Sequence, residues 1–150
     1  TRLTEPEIAH VGIGRKFQTP RVYQNLTPRR NLELAVGPGV FIPRPETEEL
    51  VEWLLGMDLP AAQRVFDIGC GSGVLAIAAL RLGAAHAVAY DIDPQALTAT
   101  LDNAAANGVA QALTIANEAP QAPLAADLLL ANILSGPLCE LAPRLAALLK

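Results

Sequence analysis

Three glycines at alternate positions follow an acidic residue at the end of one apolar run and open a second, in the stretch Asp67-Ile68-Gly69-Cys70-Gly71-Ser72-Gly73. Few arrangements allow this. A strand must stop, the chain must turn through residues with almost no side chain, and a helix must begin at once. Such a loop lets a ligand approach the backbone, and the helix N-terminus behind it offers unpaired N–H groups to a carboxylate or phosphate. From Arg64 onward, short apolar runs alternate with helical patterns, which argues for βαβ units, a Rossmann-like α/β fold and a parallel sheet. Strands are expected near 64–68, 87–91, 112–116 and 127–131, and helices near 74–82, 94–107 and 137–149. Right-handed crossovers then order the strands 3-2-1-4. The ligand crevice falls between the first and fourth, where the glycine loop meets Ala131-Asn132-Ile133-Leu134.

Two details of the loop choose between ligands. A dinucleotide fingerprint has its third glycine three positions after the second, and Val74 stands there instead. Asp67 would also repel a pyrophosphate, whereas S-adenosylmethionine carries an ammonium and a sulfonium that a carboxylate attracts. A methyl donor is therefore expected along residues 67–73, with Asp67, Gly69, Gly71 and Gly73 as binding residues, and an NAD-dependent oxidoreductase is the weaker reading. A second short apolar run, Ala87-Val88-Ala89-Tyr90-Asp91-Ile92-Asp93-Pro94, ends in a carboxylate roughly twenty residues after the loop, the spacing of a ribose ligand. Asp91 is placed to accept from two ribose hydroxyls. Asp93, just before Pro94, is expected to cap the next helix. The plainer alternative is a tight turn followed by an ordinary strand-end carboxylate.

The chain of 150 residues suffices for one core, yet 51% of it is hydrophobic and only 17% charged, an under-charged surface for a complete soluble domain. No apolar run approaches a membrane span and the N-terminus lacks a signal-peptide pattern, so a cytoplasmic protein is expected. Cys70 and Cys139 lack metal-ligand spacing and are expected to be buried apolar thiols; His10 and His86 are expected to be ordinary, and no metal site is foreseen. Charge divides unevenly. Residues 1–44 hold seven Lys/Arg against three acids, and residues 45–150 hold four against twelve. Arg15, Lys16, Arg21, Arg29 and Arg30 are thus either a solvated face or a contact for RNA or an acidic surface. Residues 1–36 are expected to form a β-containing or irregular segment, with strands at 21–23 and 32–36, and residues 37–150 the ligand-binding domain. Val40 to Pro45 should be extended. A helix follows from Pro45 or Glu46, with Glu46, Glu48 and Glu49 in its first turns and Leu50, Val51, Leu54 and Leu55 as its apolar stripe.

With these motifs in view, the chain resembles class I S-adenosylmethionine-dependent methyltransferases. From about Arg64 to Lys150 it is similar to the PrmA family, which methylates the ribosomal stalk protein, on Phe66 to Gly73, Asp91 to Ala96, Asp102-Asn103 with Asn107-Gly108-Val109, and Ala131 to Leu138. From about Leu32 to Leu54 it resembles the PrmC/HemK release-factor glutamine methyltransferases, on Pro38-Gly39-Val40 and Ile42 to Glu48. The two differ at the acceptor. The release-factor family has Asn-Pro-Pro-Tyr after its fourth strand, whereas this chain has Asn132-Ile133-Leu134-Ser135, without the proline turn and the aromatic ring that packs on a planar amide. The resemblance therefore implies S-adenosylmethionine as cofactor and amine methylation of the stalk protein, with release-factor amide methylation as the alternative and a non-catalytic cofactor-binding module as a rival.

By the same resemblance, Thr47 touches the methionine end of the cofactor, Gly69 and Gly71 line it, and Asp91 holds the ribose. Asn132 is the candidate catalytic residue, either accepting from the acceptor N–H or touching the cofactor's amino group. Both families continue with three further strands, so the chain is expected to be truncated after the fourth strand and its helix. The strand at 127–131 would then be a bare apolar edge, prone to self-association or covered by the N-terminal segment.

Overall fold

Alternation of side chains along the short apolar runs decides where the core lies. In the computed structural model, which describes residues 45–57, 63–118 and 125–150, β1 (Arg64–Ile68) sends Val65 into one apolar cluster and Phe66 and Ile68 into another. Asp67 shares the parity of Val65 and so lies on the first face. β4 (Leu128–Ala131) divides in the same way, Leu128 and Leu130 against Leu129 and Ala131. With β2 (His86–Tyr90) and β3 (Leu113–Ala116) these strands form a four-stranded parallel sheet ordered β3-β2-β1-β4. Ile68 stands opposite Tyr90 on one side and Ala131 on the other, so the loops after β1, β2 and β4 leave the sheet at one level.

Helices cover both faces. α1 (Pro45–Gly56), α2 (Val74–Arg81) and α3 (Pro94–Ala106) pack on the first, and α4 (Ser135–Ala146) packs on the second. α2 is buried at every position from Leu75 to Leu80 because it lies between the sheet and the two neighbouring helices. An evenly apolar sequence suits that place, where an amphipathic one would bury charge. α4 instead buries one stripe, Leu138, Ala142 and Leu145, each core leucine contributing about 1.5–3 kcal/mol. Its first turn starts at Ser135, two residues before the expected 137, since Pro137 needs no N–H partner there.

The sheet order and the strand positions expected from the sequence are those observed, each strand within a residue or so. The C-terminus differs from expectation. Helix α4 ends at Ala146, and the following residues return to pair Leu149 with Ala126 in parallel, with the Ala126 N–H donating to the Leu148 carbonyl (2.9 Å) and the Lys150 N–H to the Ala126 carbonyl (3.0 Å). Asp127 meets the Lys150 ammonium at 2.7 Å, which holds its carboxyl below the usual range. The start of the β4 edge is thus covered by the chain's own last residues. Cys139 is half-buried rather than buried, since it flanks the α4 stripe; Cys70 is buried as expected. His86 shares a hydrogen bond with the Thr114 hydroxyl at 3.0 Å. Among the described residues no helix is long and apolar enough to cross a membrane, and no group of side chains is arranged to hold a metal ion. The basic residues at 15–30, His10, the segment 1–36 with the strands expected at 21–23 and 32–36, and residues 40–44, expected to be extended, lie outside the described residues.

Candidate cofactor site

Gly69 and Gly73 are glycine for steric reasons that the fold makes explicit. Both have positive φ, 67° and 76°. A Cβ at Gly69 would strike the Ile133 side chain from the loop after β4, and one at Gly73 would come within 2.6 Å of the Thr100 methyl on α3. At Gly71 a Cβ would meet nothing within 4 Å, so this is the loop's open side. The turn is anchored at both ends. The Gly69 and Cys70 N–H groups donate to the Tyr90 carbonyl at the end of β2 (2.8 and 3.1 Å), and the Gly73 N–H closes onto the Cys70 carbonyl at 2.7 Å.

Three acids surround this loop in different roles. Asp91 accepts from the Gly71 N–H (2.9 Å) through one oxygen and from the Asp93 N–H (3.0 Å) through the other. It therefore locks the glycine loop to the end of β2, and each oxygen keeps a second lone pair. Asp93 caps α3 by accepting from the Gln95 N–H at 2.9 Å, with Pro94 in the first turn. Between them Ile92 is 88% exposed, a large apolar side chain on the rim. Asp67 lies beneath the loop, only 1% exposed, and accepts from the Ala76 N–H at 3.1 Å, one of the orphan donors in the first turn of α2. Gly73, the N-cap, has no side chain to serve that turn. The other Asp67 oxygen is buried and has no partner among the described residues. Burial pushes this carboxyl up to about 7, with the Ala76 bond working against the shift and the Asp91 charge adding to it.

The fourth corner joins residues far apart in sequence. The Asn132 amide donates to the Thr47 hydroxyl at 2.7 Å, across 85 residues, and ties the first turns of α1 to the end of β4. Thr47 is buried, and Leu134 beyond Asn132 is 73% exposed. The fold thus gathers all the expected site residues at one end of the sheet: Asp67, Gly69, Gly71, Gly73 and Asp91 around one loop, Thr47 and Asn132 as a bonded pair, and Ile133 as the contact between them.

Thr100 and Asn103, with Asn107 behind them, hold the loop in a way not expected from the sequence, although Asn103 and Asn107 stand among the residues that carry the family resemblance. The Thr100 hydroxyl donates to the Gly71 carbonyl (3.1 Å), the Asn103 amide donates to the Ser72 carbonyl (2.8 Å), and the Asn107 amide donates to the Asn103 carbonyl (2.8 Å). All three are buried. Their spacing of three and four puts Thr100 and Asn103 on one side of α3 with Asn107 at its C-cap below them, which is the available sequence signal: polar residues on a helix face that should be apolar.

Comparison with known proteins agrees with this geometry. Residues 34–150 match the family described as ribosomal protein L11 methyltransferase (PrmA). The chain belongs to the PrmA family. That one match takes in most of the segment 32–54 that resembles the release-factor enzymes. A ribosomal protein L11 methyltransferase of Haemophilus ducreyi is 53% identical over 119 residues, 78% of this chain and 39% of that protein. One from Sodalis glossinidius is 55% identical over 112 residues, 73% of this chain and 36% of that protein. The chain thus spans well under half the length of these PrmA relatives. Among solved structures, a ribosomal protein L11 methylase from Lactobacillus delbrueckii subsp. bulgaricus superposes with a TM-score of 0.69 at 34% identity, covering 78% of this chain and 61% of that one. An RNA methyltransferase from Salinibacter ruber, in complex with S-adenosyl-L-homocysteine, does so at 0.57 and 25% identity, covering 69% and 67%. The fold of this PrmA-family chain is the Rossmann-like class I methyltransferase fold.

Proposed function

We propose that this chain carries the S-adenosylmethionine site of a protein N-methyltransferase whose acceptor is an amine of ribosomal protein L11, the stalk protein. The observation that carries this reading is the bridge from the Gly71 N–H to Asp91 beside the open face of the loop. It sets a ribose-binding carboxylate against a backbone stretch that a ligand can approach. The donor set fits the cofactor. Asp91 has lone pairs for two ribose hydroxyls, Ile92 offers an apolar flank to a planar base, and Asp67, whose carboxyl is pushed up to about 7 by burial, would ionise beside a sulfonium and an ammonium and supply negative field to them.

When bound, S-adenosylmethionine supplies an electrophilic methyl carbon on sulfur. The protein's part is alignment and desolvation. Thr47 and Asn132 hold each other: one Asn132 amide hydrogen is committed to the Thr47 hydroxyl, and the side-chain oxygen is left to accept an N–H, whether from the acceptor nitrogen or from the cofactor's amino group. The loop Asn132-Ile133-Leu134 is directed by Ile133 packing over Gly69, and it has no ring to stack on an amide, which favours an amine. A ribosomal protein as acceptor also puts the reaction in the cytoplasm.

The test has two parts. Calorimetric titration should show S-adenosylmethionine binding and no binding of NADH. Mass spectrometry after incubation with donor and either purified L11 or a release factor should show methyl groups on L11 amines. Label on the release-factor glutamine alone would reverse the acceptor assignment, and binding without any transfer would reduce the chain to a cofactor-binding module.

A further inference from the structure

The α3 face that grips the loop does more than pack. Thr100 is fully buried and meets the loop with both of its branches. Its methyl fills the hollow above Gly73, at 2.6 Å from where a Cβ would stand, and its hydroxyl lies 3.1 Å from the Gly71 carbonyl and 3.4 Å from the Cys70 sulfur. A hydroxyl has one proton and a carbonyl can only accept, so the proton goes to Gly71 and the Cys70 thiol donates to the threonine oxygen. Burial pushes the Cys70 thiol up to about 12, so it keeps the proton that this relay needs. The peptide between Gly71 and Ser72 is trans and planar, and drawing its carbonyl toward α3 directs the Ser72 N–H to the opposite side of the loop. Asn103 draws the next carbonyl, that of Ser72, toward the same helix.

Building on the cofactor site proposed above, we infer that Thr100 is a positioning residue for it: the relay from the Cys70 thiol through the Thr100 hydroxyl to the Gly71 carbonyl sets the plane of the Gly71–Ser72 peptide and so presents the loop's N–H edge to the ligand. The two branches separate this role from simple packing. Thr100→Val keeps the volume above Gly73 and deletes the hydroxyl, whereas Thr100→Ser keeps the hydroxyl and deletes the methyl.

The experiment is calorimetric titration of S-adenosylhomocysteine into the full chain and both variants, well below their melting temperatures. Thr100→Val should raise Kd tenfold or more, and Thr100→Ser should stay within threefold of the parent even where its melting temperature falls further. Affinities that simply follow melting temperature, or an unchanged Kd in Thr100→Val, would make the threonine a packing residue and overturn the inference. Should Thr100→Val fail to fold, Cys70→Ala against Cys70→Ser asks the same question, with several-fold weaker binding expected only for alanine; equal binding by the two overturns the relay. If the parent chain itself does not bind S-adenosylhomocysteine, the cofactor reading fails first. The relay is then judged by hydrogen exchange of the 71–73 amides, expected to be at least tenfold faster in Thr100→Val than in Thr100→Ser, and equal rates would refute it.

Discussion

Asp67 and Asp91 are the same side chain two strand-ends apart, and their surroundings give them opposite work. Asp91 is half-buried and held by two N–H groups, so its charge is available at the rim. Asp91→Ala should weaken S-adenosylhomocysteine binding by about 1–3 kcal/mol, roughly fivefold to 150-fold, in a calorimetric titration of the folded variant. Asp67 titrates near 7 in the folded protein against an ordinary 3.8. Between those values the native state keeps a proton that the unfolded chain has lost, so stability falls as pH rises from about 4 to about 7, by at most about 4 kcal/mol. Asp67→Asn keeps an acceptor for the Ala76 N–H and removes the titration. Urea midpoints at pH 5 and pH 8 should therefore differ less in the variant than in the parent, and equal differences would show that Asp67 is not the group responsible. The glycines, Asp67 and Asp91 could be read from the sequence because spacing between a strand and a helix places them. Thr100 and Asn103 could not, because their carbonyl partners lie 29 and 31 residues away and only the packing of α3 brings them close.

Secondary structure was readable wherever an apolar run ended at a residue that forces a stop. β1 stops at the glycine loop and β2 at Asp91, so their C-terminal ends were foreseen to within a residue, and Asp93-Pro94 marked the start of α3. α4 resisted because its signals conflict. Pro137 suggests a start where the helix already exists, and Pro143 stands inside it, removing the N–H that would have bonded to the Cys139 carbonyl. What holds α4 is its apolar stripe on the second face of the sheet. Leu138, 1% exposed, is the test position: Leu138→Ala should cost about 2–5 kcal/mol in urea unfolding, while an equivalent change at exposed Leu101 on α3 should stay near zero. A loss of under 1 kcal/mol at Leu138 would mean that α4 is not anchored by this stripe.

At the scale of the molecule, the sheet order followed from the alternation of elements and the handedness of their connections, and it puts β4 at an edge. The C-terminal return was not readable, because Leu148-Leu149 continues the helical pattern of α4 and nothing local marks the change to pairing with Ala126. Among the described residues, that return covers the start of β4 alone. Along Leu128–Ala131 the edge is apolar, with neither lysine nor proline to deter pairing, so the expectation is either self-association as concentration rises or cover by the N-terminal segment, and in both cases slow hydrogen exchange of the 128–131 amides. Light scattering that shows a monomer at every concentration, with those amides exchanging freely, would contradict this.

The site itself is tested most directly by following backbone amide resonances of the whole chain during titration with S-adenosylhomocysteine. Saturable shifts should concentrate at Gly69–Gly73, Asp91–Asp93 and Asn132, the three loops that leave the sheet at one level. Saturable binding whose shifts fall elsewhere, or no shift in these loops at millimolar ligand, would contradict the assignment of this crevice to the methyl donor.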